Sequence, residues 1–363
     1  MIRYVASTTR NAMGPSVSDP RTGEIIESDI IWYHNHLRSY RNRFLVETAA
    51  SNPKARTLET SEEDIGEMME MVISHEVGHA LGFPHNMGAS SSYEVEDYRN
   101  AEFTKTQGIS ATIMDYARFN YIAQPEDKGV RYIRKMGPYD DYAVNWGYRI
   151  LPNSVKPEDE IPTLNQWIEA KSGDLRYRFG NQGTTFDPSS QTEDIGNDPV
   201  RAGNYAMKNL KVVAKNLADW TSKKTNNYDD LIEVNDELLT AWFRYVGHVV
   251  TNVGGYYERY SKPNQQVASY IVVPKAKQQT ATKWLLEHAF SDVAWLINKE
   301  VVTHQMMGYN EKIRVLQVTH LNDLLSFGTL ARLDNSSHLE VNYYKSVEFC
   351  KDLRLGLWSE LAS

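Results

Sequence analysis

One stretch of the chain, His75-Glu76-Val77-Gly78-His79-Ala80-Leu81-Gly82-Phe83-Pro84-His85, spaces its histidines in a way that suits a metal ion. On a helix, His75 and His79 are four residues apart, so both imidazole rings project from the same face. Two ring nitrogens at that spacing can hold one Zn²⁺, and Glu76 lies beside the metal without binding it. Glu76 is therefore placed to accept a proton from a water that the metal activates.

The end of the same stretch supplies a third ligand. Gly82 has no Cβ and can enter the left-handed region without steric cost, so it can end the helix and turn the chain sharply. That turn brings His85 back towards His75 and His79. Three protein ligands leave a fourth position open, as in a catalytic zinc site. A bare H-E-x-x-H also suits an amphipathic helix with solvated histidines, but the longer pattern is rare by chance in a chain with 10 His.

A second pattern lies downstream, in Ser110-Ala111-Thr112-Ile113-Met114-Asp115-Tyr116. A zinc signature of this form, followed by a methionine turn, resembles the metzincin clan of peptidases. The resemblance implies that Met114 lies beneath the metal, where a thioether fills space without competing for the ion. The segments HEVGHALGFPHN and GISATIMDYARFNY resemble segments of large zinc-dependent proteases of Bacteroidetes-type bacteria. This resemblance extends over most of the chain.

Tyr116 follows Met114 at a spacing similar to that of astacins and serralysins. There the tyrosine is an extra zinc ligand in the resting enzyme and stabilises the tetrahedral intermediate after it swings away. A phenol can do both, because it donates a hydrogen bond when neutral and can ligate once its proton is lost. The alternative is a buried aromatic residue beside the turn, in a chain with 22 Tyr. Asp115 departs from the His that astacins commonly have at this place.

Composition narrows the class of protein. With 363 residues the chain can hold two domains, and its 41% hydrophobic and 24% charged residues are ordinary for a globular protein. The net charge of −8, without a block of like charges, argues against nucleic acid and an anionic membrane surface as partners. There is no run of 18 apolar residues, so no membrane-spanning segment is predicted. The expected partner is a peptide or protein substrate, and the oligomeric state is open.

The predicted fold is an α+β metzincin-like catalytic domain, with a mixed sheet, the zinc-binding helix and the Met-turn, followed by a mainly α-helical domain. We place the domains at residues 1–150 and 151–363, because Pro152, Pro157 and Pro162 cluster after a short predicted helix. Apolar residues at helical spacing predict later helices in Asn204–Trp220, Tyr228–Tyr260, Ala276–Asn298 and Asn310–Phe327. Segment Asp174–Pro199 is rich in Gly, Asp, Asn and Ser, which predicts an exposed loop or linker.

The first part of the chain predicts strands at Ile2–Ser7 and Glu24–Tyr33 and a helix at Leu37–Ala50. By resemblance to metzincins, Glu24–Tyr33 lies at the sheet edge above the cleft and offers its backbone to the substrate. Metzincins usually place more strands and a long helix before the zinc helix. We therefore hypothesise that this chain is the carboxyl-terminal part of a longer precursor and that its catalytic domain lacks its amino-terminal portion.

Met1 leads directly into a strand-like run, so no signal peptide is recognised in this chain. A location outside the cytoplasm of a bacterium, in the periplasm, at the outer surface or secreted, follows from the family resemblance alone. The single cysteine, Cys350, excludes an intrachain disulfide and does not identify the compartment.

The sequence thus predicts a zinc-dependent endopeptidase, with Zn²⁺ held by His75, His79 and His85 and with Glu76 as general base. One alternative is a zinc-bound but inactive peptide-binding fragment or module. Another is a zinc hydrolase that uses two histidines and a downstream glutamate, as in thermolysin-like enzymes. Glu94 and Glu96 do not sit in such a pattern.

Replacing His85 with Ala should remove zinc, because only two protein ligands would remain. Elemental analysis of the purified chain should find one zinc, and the variant should have lost it. Zinc retained at full occupancy in His85→Ala would instead favour the site with two histidines and a glutamate.

Overall fold

The computed structural model describes residues 1–152, 154–181, 186–222, 227–305 and 308–359. The helices are α1 (His36–Thr48), α2 (Glu62–Ala80), α3 (Ala101–Gln107), α4 (Pro138–Tyr148), α5 (Ile161–Lys171), α6 (Pro199–Thr221), α7 (Asp229–Val250), α8 (Lys275–His288), α9 (Lys299–His304), α10 (Tyr309–Leu324), α11 (Phe327–Asn335) and α12 (Ser346–Leu357). The strands are β1 (Ile2–Val5), β2 (Ala12–Met13), β3 (Ser16–Ser18), β4 (Ile25–Ser28), β5 (Ile30–Tyr33), β6 (Tyr256–Glu258) and β7 (Tyr270–Val272). The chain is therefore α+β, with small sheets and many helices.

The main sheet is mixed and has the strand order β1-β5-β2. Strand β1 runs parallel to β5, with Ile2 opposite Ile30, and β2 runs antiparallel to it, with Ala12 opposite Trp32. Strands β3 and β4 form a separate antiparallel pair. The sheet packs on α2, which contacts both β2 and β5.

The predicted strand Glu24–Tyr33 is two strands in two different sheets, and its expected position at the sheet edge is wrong. Its second part, Ile30–Tyr33, lies in the middle of the main sheet and has a neighbour on each side. The edge next to α2 is β2, at Ala12–Met13. Two residues are too few to show an alternating pattern, so the sequence could not reveal this strand.

Helix α2 ends just before Gly82, as its sequence predicts. The hydroxyl oxygen of Ser61 accepts a hydrogen bond from the Asp64 amide at 3.1 Å, and acidic residues fill the first turn. After the helix, Gly82 has a φ of +86°, the left-handed conformation that glycine adopts without strain. Met68, Met71 and Val72 are buried against the core. These contacts fix the direction in which the histidines of the helix point.

Helix α1 joins the sheet to the helical half of the chain. Its Phe44, Leu45 and Val46 are buried, and the helix packs on α6 and α7. Arg38 of α1 forms ion pairs with Asp230 and Glu233 of α7. One connected hydrophobic core extends from Trp32 to Trp242. The division into domains near residue 150 stays a prediction.

Segment Asp174–Pro199 is not the exposed loop that its polar composition predicts. Residues 182–185 lie outside the described residues, but Asp187, Asp194 and Ile195 are all buried. Asp187 accepts from Arg178 at 3.1 Å, and the Oδ1 of Asp194 accepts from the Ser90 hydroxyl at 3.0 Å. Burial raises the pKa of Asp194 well above its ordinary value. Partners of this kind allow a polar segment to be buried, and composition cannot show them.

The structure has helices in all four predicted helical segments, but two of the segments end early. Helix α7 stops at Val250, and Tyr256–Glu258 is instead a strand paired with Tyr270–Val272. Gly254 has a φ of +65°, which an α-helix does not allow. Helix α8 likewise stops at His288. In the part of the chain that the structure describes, no helix combines the length and apolar character needed to cross a bilayer.

Candidate metal centre and active site

The three predicted histidine ligands converge on one point. The Nε2 atoms lie 3.1 Å apart for His75 and His79, 3.0 Å for His79 and His85, and 3.2 Å for His75 and His85. Ligand nitrogens at about 2.0–2.1 Å from a tetrahedral zinc lie about 3.3 Å from one another. The triangle therefore has the size that one zinc ion needs. Among the described residues, no other group of His, Cys, Asp or Glu brings three ligand atoms this close.

Backbone carbonyls fix which nitrogen of these rings carries the proton. The Nδ1 of His75 lies 2.7 Å from the Ile113 carbonyl oxygen, and the Nδ1 of His79 lies 2.9 Å from that of Phe83. A carbonyl oxygen only accepts, so each Nδ1 carries a proton, and in the neutral ring Nε2 is then the nitrogen that can bind a metal. Burial also holds the pKa of His75 well below its ordinary value, which keeps the ring neutral. Neutral nitrogens with facing lone pairs suit a cation.

Met114 packs against the zinc helix. Its side chain is buried and packs against Gly78, where an added Cβ would lie only 2.1 Å from the Met114 sulfur. Residue 78 therefore has to be small for the Met-turn to approach. The zinc signature leaves position 78 unspecified, because the close contact comes from a segment far along the chain.

Glu76 is 8% exposed and lies on α2 one residue after the first ligand. Burial raises the pKa of its carboxyl to about 7, and a hydrogen bond from the Gly14 amide opposes part of that rise. An added Cβ on Gly14 would lie 2.6 Å from the Glu76 carbonyl oxygen. The chain after β2 thus crosses the zinc helix at the predicted general base, a contact that the sequence did not reveal.

Tyr116 lies beside the predicted metal position. Its ring centroid is 5.2 Å from that of His75 and 4.3 Å from that of His85. Burial raises the pKa of the phenol above its ordinary value, so the hydroxyl is protonated and can donate a hydrogen bond. The structure thus brings together all the predicted site residues, His75, Glu76, His79, His85 and Tyr116, with Gly82 and Met114 in the turns that support them.

Comparison with known families bears on this arrangement directly. A family model described as Met-zincin matches residues 57–363. The chain belongs to the Met-zincin family. It is accordingly a metzincin-type metallopeptidase by family, and the family implies zinc as its metal. No curated protein and no solved structure gives a match.

The match to the Met-zincin model begins after α1. It therefore includes the zinc signature, the Met-turn and the whole helical half of the chain. The strands β1 to β5 lie outside it. The helical half is thus part of what defines this family, although it carries no motif with recognisable chemistry.

Two carboxylates, the buried Asp115 and the half-buried Asp140, hold the Met-turn of this Met-zincin in place. Asp140 of α4 accepts hydrogen bonds from the Thr112 hydroxyl and, at 2.9 Å, from the Ile113 amide. Asp115 accepts from the amides of Ser90 at 2.7 Å and Ala117 at 2.9 Å. Burial raises the pKa of Asp115 to about 6. Asp115, which replaces the His common in astacins, therefore ties the turn to the chain that follows His85.

A cavity of about 680 Å³ lies on the face of the zinc helix that carries Gly78 and Leu81, away from the three histidines. It is bounded by Gly78, Leu81 and Met114 on one side and by helices α4 and α5 on the other. None of the three histidines lines it, so the cavity does not reach the predicted metal position.

Replacing Gly78 with Ala should destabilise the fold by about 1–3 kcal/mol, because the new methyl group overlaps the Met114 side chain. Urea unfolding measures the change. The double variant Gly78→Ala, Met114→Ala should lose less than the sum of the two single variants, because it removes the overlap.

A matched control lies on the same helix. An added Cβ at Gly66 meets nothing within 4 Å, so Gly66→Ala should be neutral or stabilise the fold by up to about 1 kcal/mol. Equal effects of the two substitutions would contradict the close contact between Gly78 and Met114.

Proposed function

We propose that this Met-zincin is a zinc-dependent endopeptidase that uses His75, His79 and His85 as zinc ligands and Glu76 as general base. The observation that supports it is the triangle of Nε2 atoms about 3 Å on a side, with a buried carboxylate one residue after His75. When bound, Zn²⁺ supplies the Lewis acidity that polarises the scissile carbonyl and makes a water acidic enough to attack it.

Glu76 transfers the proton between the attacking water and the leaving amine. Its carboxylate accepts a proton from the attacking water and passes it to the leaving amine. The pKa of about 7 that burial gives this group suits both steps, because a general base works best when its pKa lies near the operating pH. The Gly14 amide orients the carboxylate by donating to it.

Tyr116 acts as an electrostatic partner of the substrate. Its neutral hydroxyl donates a hydrogen bond to the carbonyl oxygen of the scissile bond as negative charge develops there. The ring contacts with His75 and His85 support this role, because they keep the phenol within reach of the reacting group.

The substrate is a peptide or protein chain. Strand β2 takes the place first assigned to Glu24–Tyr33, because it is the edge of the main sheet beside α2. An extended peptide can add to such an edge through main-chain hydrogen bonds. The likeness to large Bacteroidetes-type proteases and the location outside the cytoplasm stay predictions from resemblance.

Replacing Glu76 with Gln should preserve zinc and abolish most hydrolysis. The amide has the same shape but cannot accept the proton, so kcat/KM should fall by about 10²- to 10⁴-fold. Elemental analysis and hydrolysis of a denatured protein measure the two effects. Activity within a factor of ten of the wild type would remove Glu76 from its role. A zinc-loaded wild type that cleaves no denatured protein would favour the alternative of an inactive peptide-binding module.

Replacing Tyr116 with Phe should lower kcat by about 10²-fold, because one hydrogen-bond donor to the developing negative charge is lost. KM and zinc content should change little, since the ring and its contacts remain. Steady-state kinetics on a defined peptide provide the test. An unchanged kcat would support the alternative that Tyr116 is a buried aromatic residue beside the turn.

A further inference from the structure

The cavity of about 680 Å³ between the zinc helix and α4, here called the α4 cavity, has the size of a small-molecule site. Ligand cavities in proteins have volumes of about 300–1,000 Å³ and walls that are mainly apolar and aromatic. Leu81 and Tyr148 line the α4 cavity and are 37% and 53% exposed. The cavity therefore opens at the protein surface, where a ligand can enter.

Aromatic rings cover much of its wall. Phe83 and Tyr148 meet edge to face, with ring centroids 6.2 Å apart. On the other side, the ring of Tyr142 lies edge to face with Tyr139 at 5.9 Å and with Tyr177 at 5.4 Å. An aromatic ligand can make the same contacts with these rings, which stabilise a complex beyond the burial of apolar area alone.

The charged groups of the wall are engaged within the protein. Its ion pairs and hydrogen bonds join Asp140 to Thr112 and Ile113, Asp174 to Arg176, and Arg178 to Asp187. The Nζ of Lys171 lies 4.4 Å from the ring centroid of Tyr177. Arg259 donates to the Glu258 carbonyl oxygen at 3.1 Å, and the Glu258 carboxylate accepts from Tyr270. An uncharged ligand therefore suits this wall better than an ionic one, which would have to compete with these contacts.

The α4 cavity shares two turns of the chain with the zinc site. Phe83 and Ile113 line the cavity, and so does Met114. The carbonyl oxygen of Phe83 lies 2.9 Å from the Nδ1 of His79, and that of Ile113 lies 2.7 Å from the Nδ1 of His75. A ligand packed against these turns restricts the groups that orient two imidazoles. Binding in the cavity and binding of zinc are therefore coupled, and the coupling acts equally in both directions.

We propose that the α4 cavity binds a small, uncharged aromatic molecule and that this molecule strengthens the binding of zinc. The aromatic wall selects the ligand, and the turns at Phe83 and Ile113 transmit its effect to the histidines. The inference rests on the proposed zinc ligands but not on hydrolysis, so its tests measure binding and not activity.

The first test measures binding of N-phenyl-1-naphthylamine, an uncharged aromatic probe that fluoresces more strongly in apolar surroundings, to the zinc-loaded protein. One saturable site with a Kd in the micromolar range is expected. Gly147 of α4 lines the cavity, and an added Cβ would make an ordinary contact with the Phe83 ring at 3.6 Å. Gly147→Leu should therefore fold and raise the Kd at least about 10-fold, because its side chain occupies the cavity.

Gly66→Leu is the matched control. Gly66 is also a helical glycine, an added Cβ there meets nothing within 4 Å, and the residue does not line the cavity. This variant should keep the Kd of the wild type. The site is overturned if the wild type shows no saturable binding, or if folded Gly147→Leu binds the probe as the wild type does. If Gly147→Leu does not fold, Ala143→Leu in the same wall decides by the same criterion.

Competition with EDTA at equilibrium measures the coupling. Saturating probe should raise the EDTA concentration that removes half of the zinc from the wild type by about 5-fold or more, as for a typical coupling between two sites. The same probe concentration should have little effect on Gly147→Leu. An EDTA midpoint that the probe leaves unchanged in the wild type overturns the coupling.

Competitors of the probe separate the sources of the aromatic group. Displacement by indole supports a site for a small molecule. Displacement by a denatured protein but not by indole would assign the cavity to a side chain of the substrate and overturn the inference. If the protein binds no zinc, the proposed ligands and the coupling are both overturned, whereas probe binding that Gly147→Leu weakens still supports the cavity as a site.

Discussion

Three imidazole nitrogens that face one another at about 3 Å form an arrangement that the protein has to enforce. A cation can bind between them only when all three Nε2 atoms present lone pairs. What keeps two of the rings in this state is the backbone: the carbonyls of Ile113 and Phe83 accept from the Nδ1 atoms of His75 and His79. One of those carbonyls belongs to the Met-turn and the other to the turn after Gly82. The two turns therefore orient the ligands as well as closing the site.

The Met-turn depends in turn on contacts from several parts of the chain. Asp140 of α4 accepts from the Ile113 amide and the Thr112 hydroxyl, and Gly78 gives Met114 room against the zinc helix. The chain that leaves the turn is held by charges of the helical half: Arg118 pairs with Glu193, which also pairs with Arg244 of α7. Glu47 of α1 accepts from the Phe119 amide at 3.0 Å, and burial raises its pKa to about 8.

These contacts give the helical half a physical role. It has no chemistry of its own that we recognise, but Arg244 of α7 holds Glu193, and Glu193 pairs with Arg118 in the segment that follows Tyr116. Ionic groups buried this deeply are unfavourable unless every one is paired, so the segment has little freedom to move. A site wall held by another part of the chain can keep a specific shape, and the Met-zincin match that spans both parts agrees with such a dependence.

The linear pattern alone determined the helix that carries His75 and His79, the turn at Gly82 and the helical character of the later segments, and it predicted the three histidines as zinc ligands. These features depend on neighbours within a few positions, and helical spacing is readable from the sequence. The pattern could not identify Gly14 or Gly78, or the buried course of the segment that carries Asp187 and Asp194. Nor could it show that β2, and not Glu24–Tyr33, forms the sheet edge. In each of these cases the deciding contact comes from residues distant in sequence, and the energy of burying a charge or a polar loop depends on partners that only the folded chain brings together.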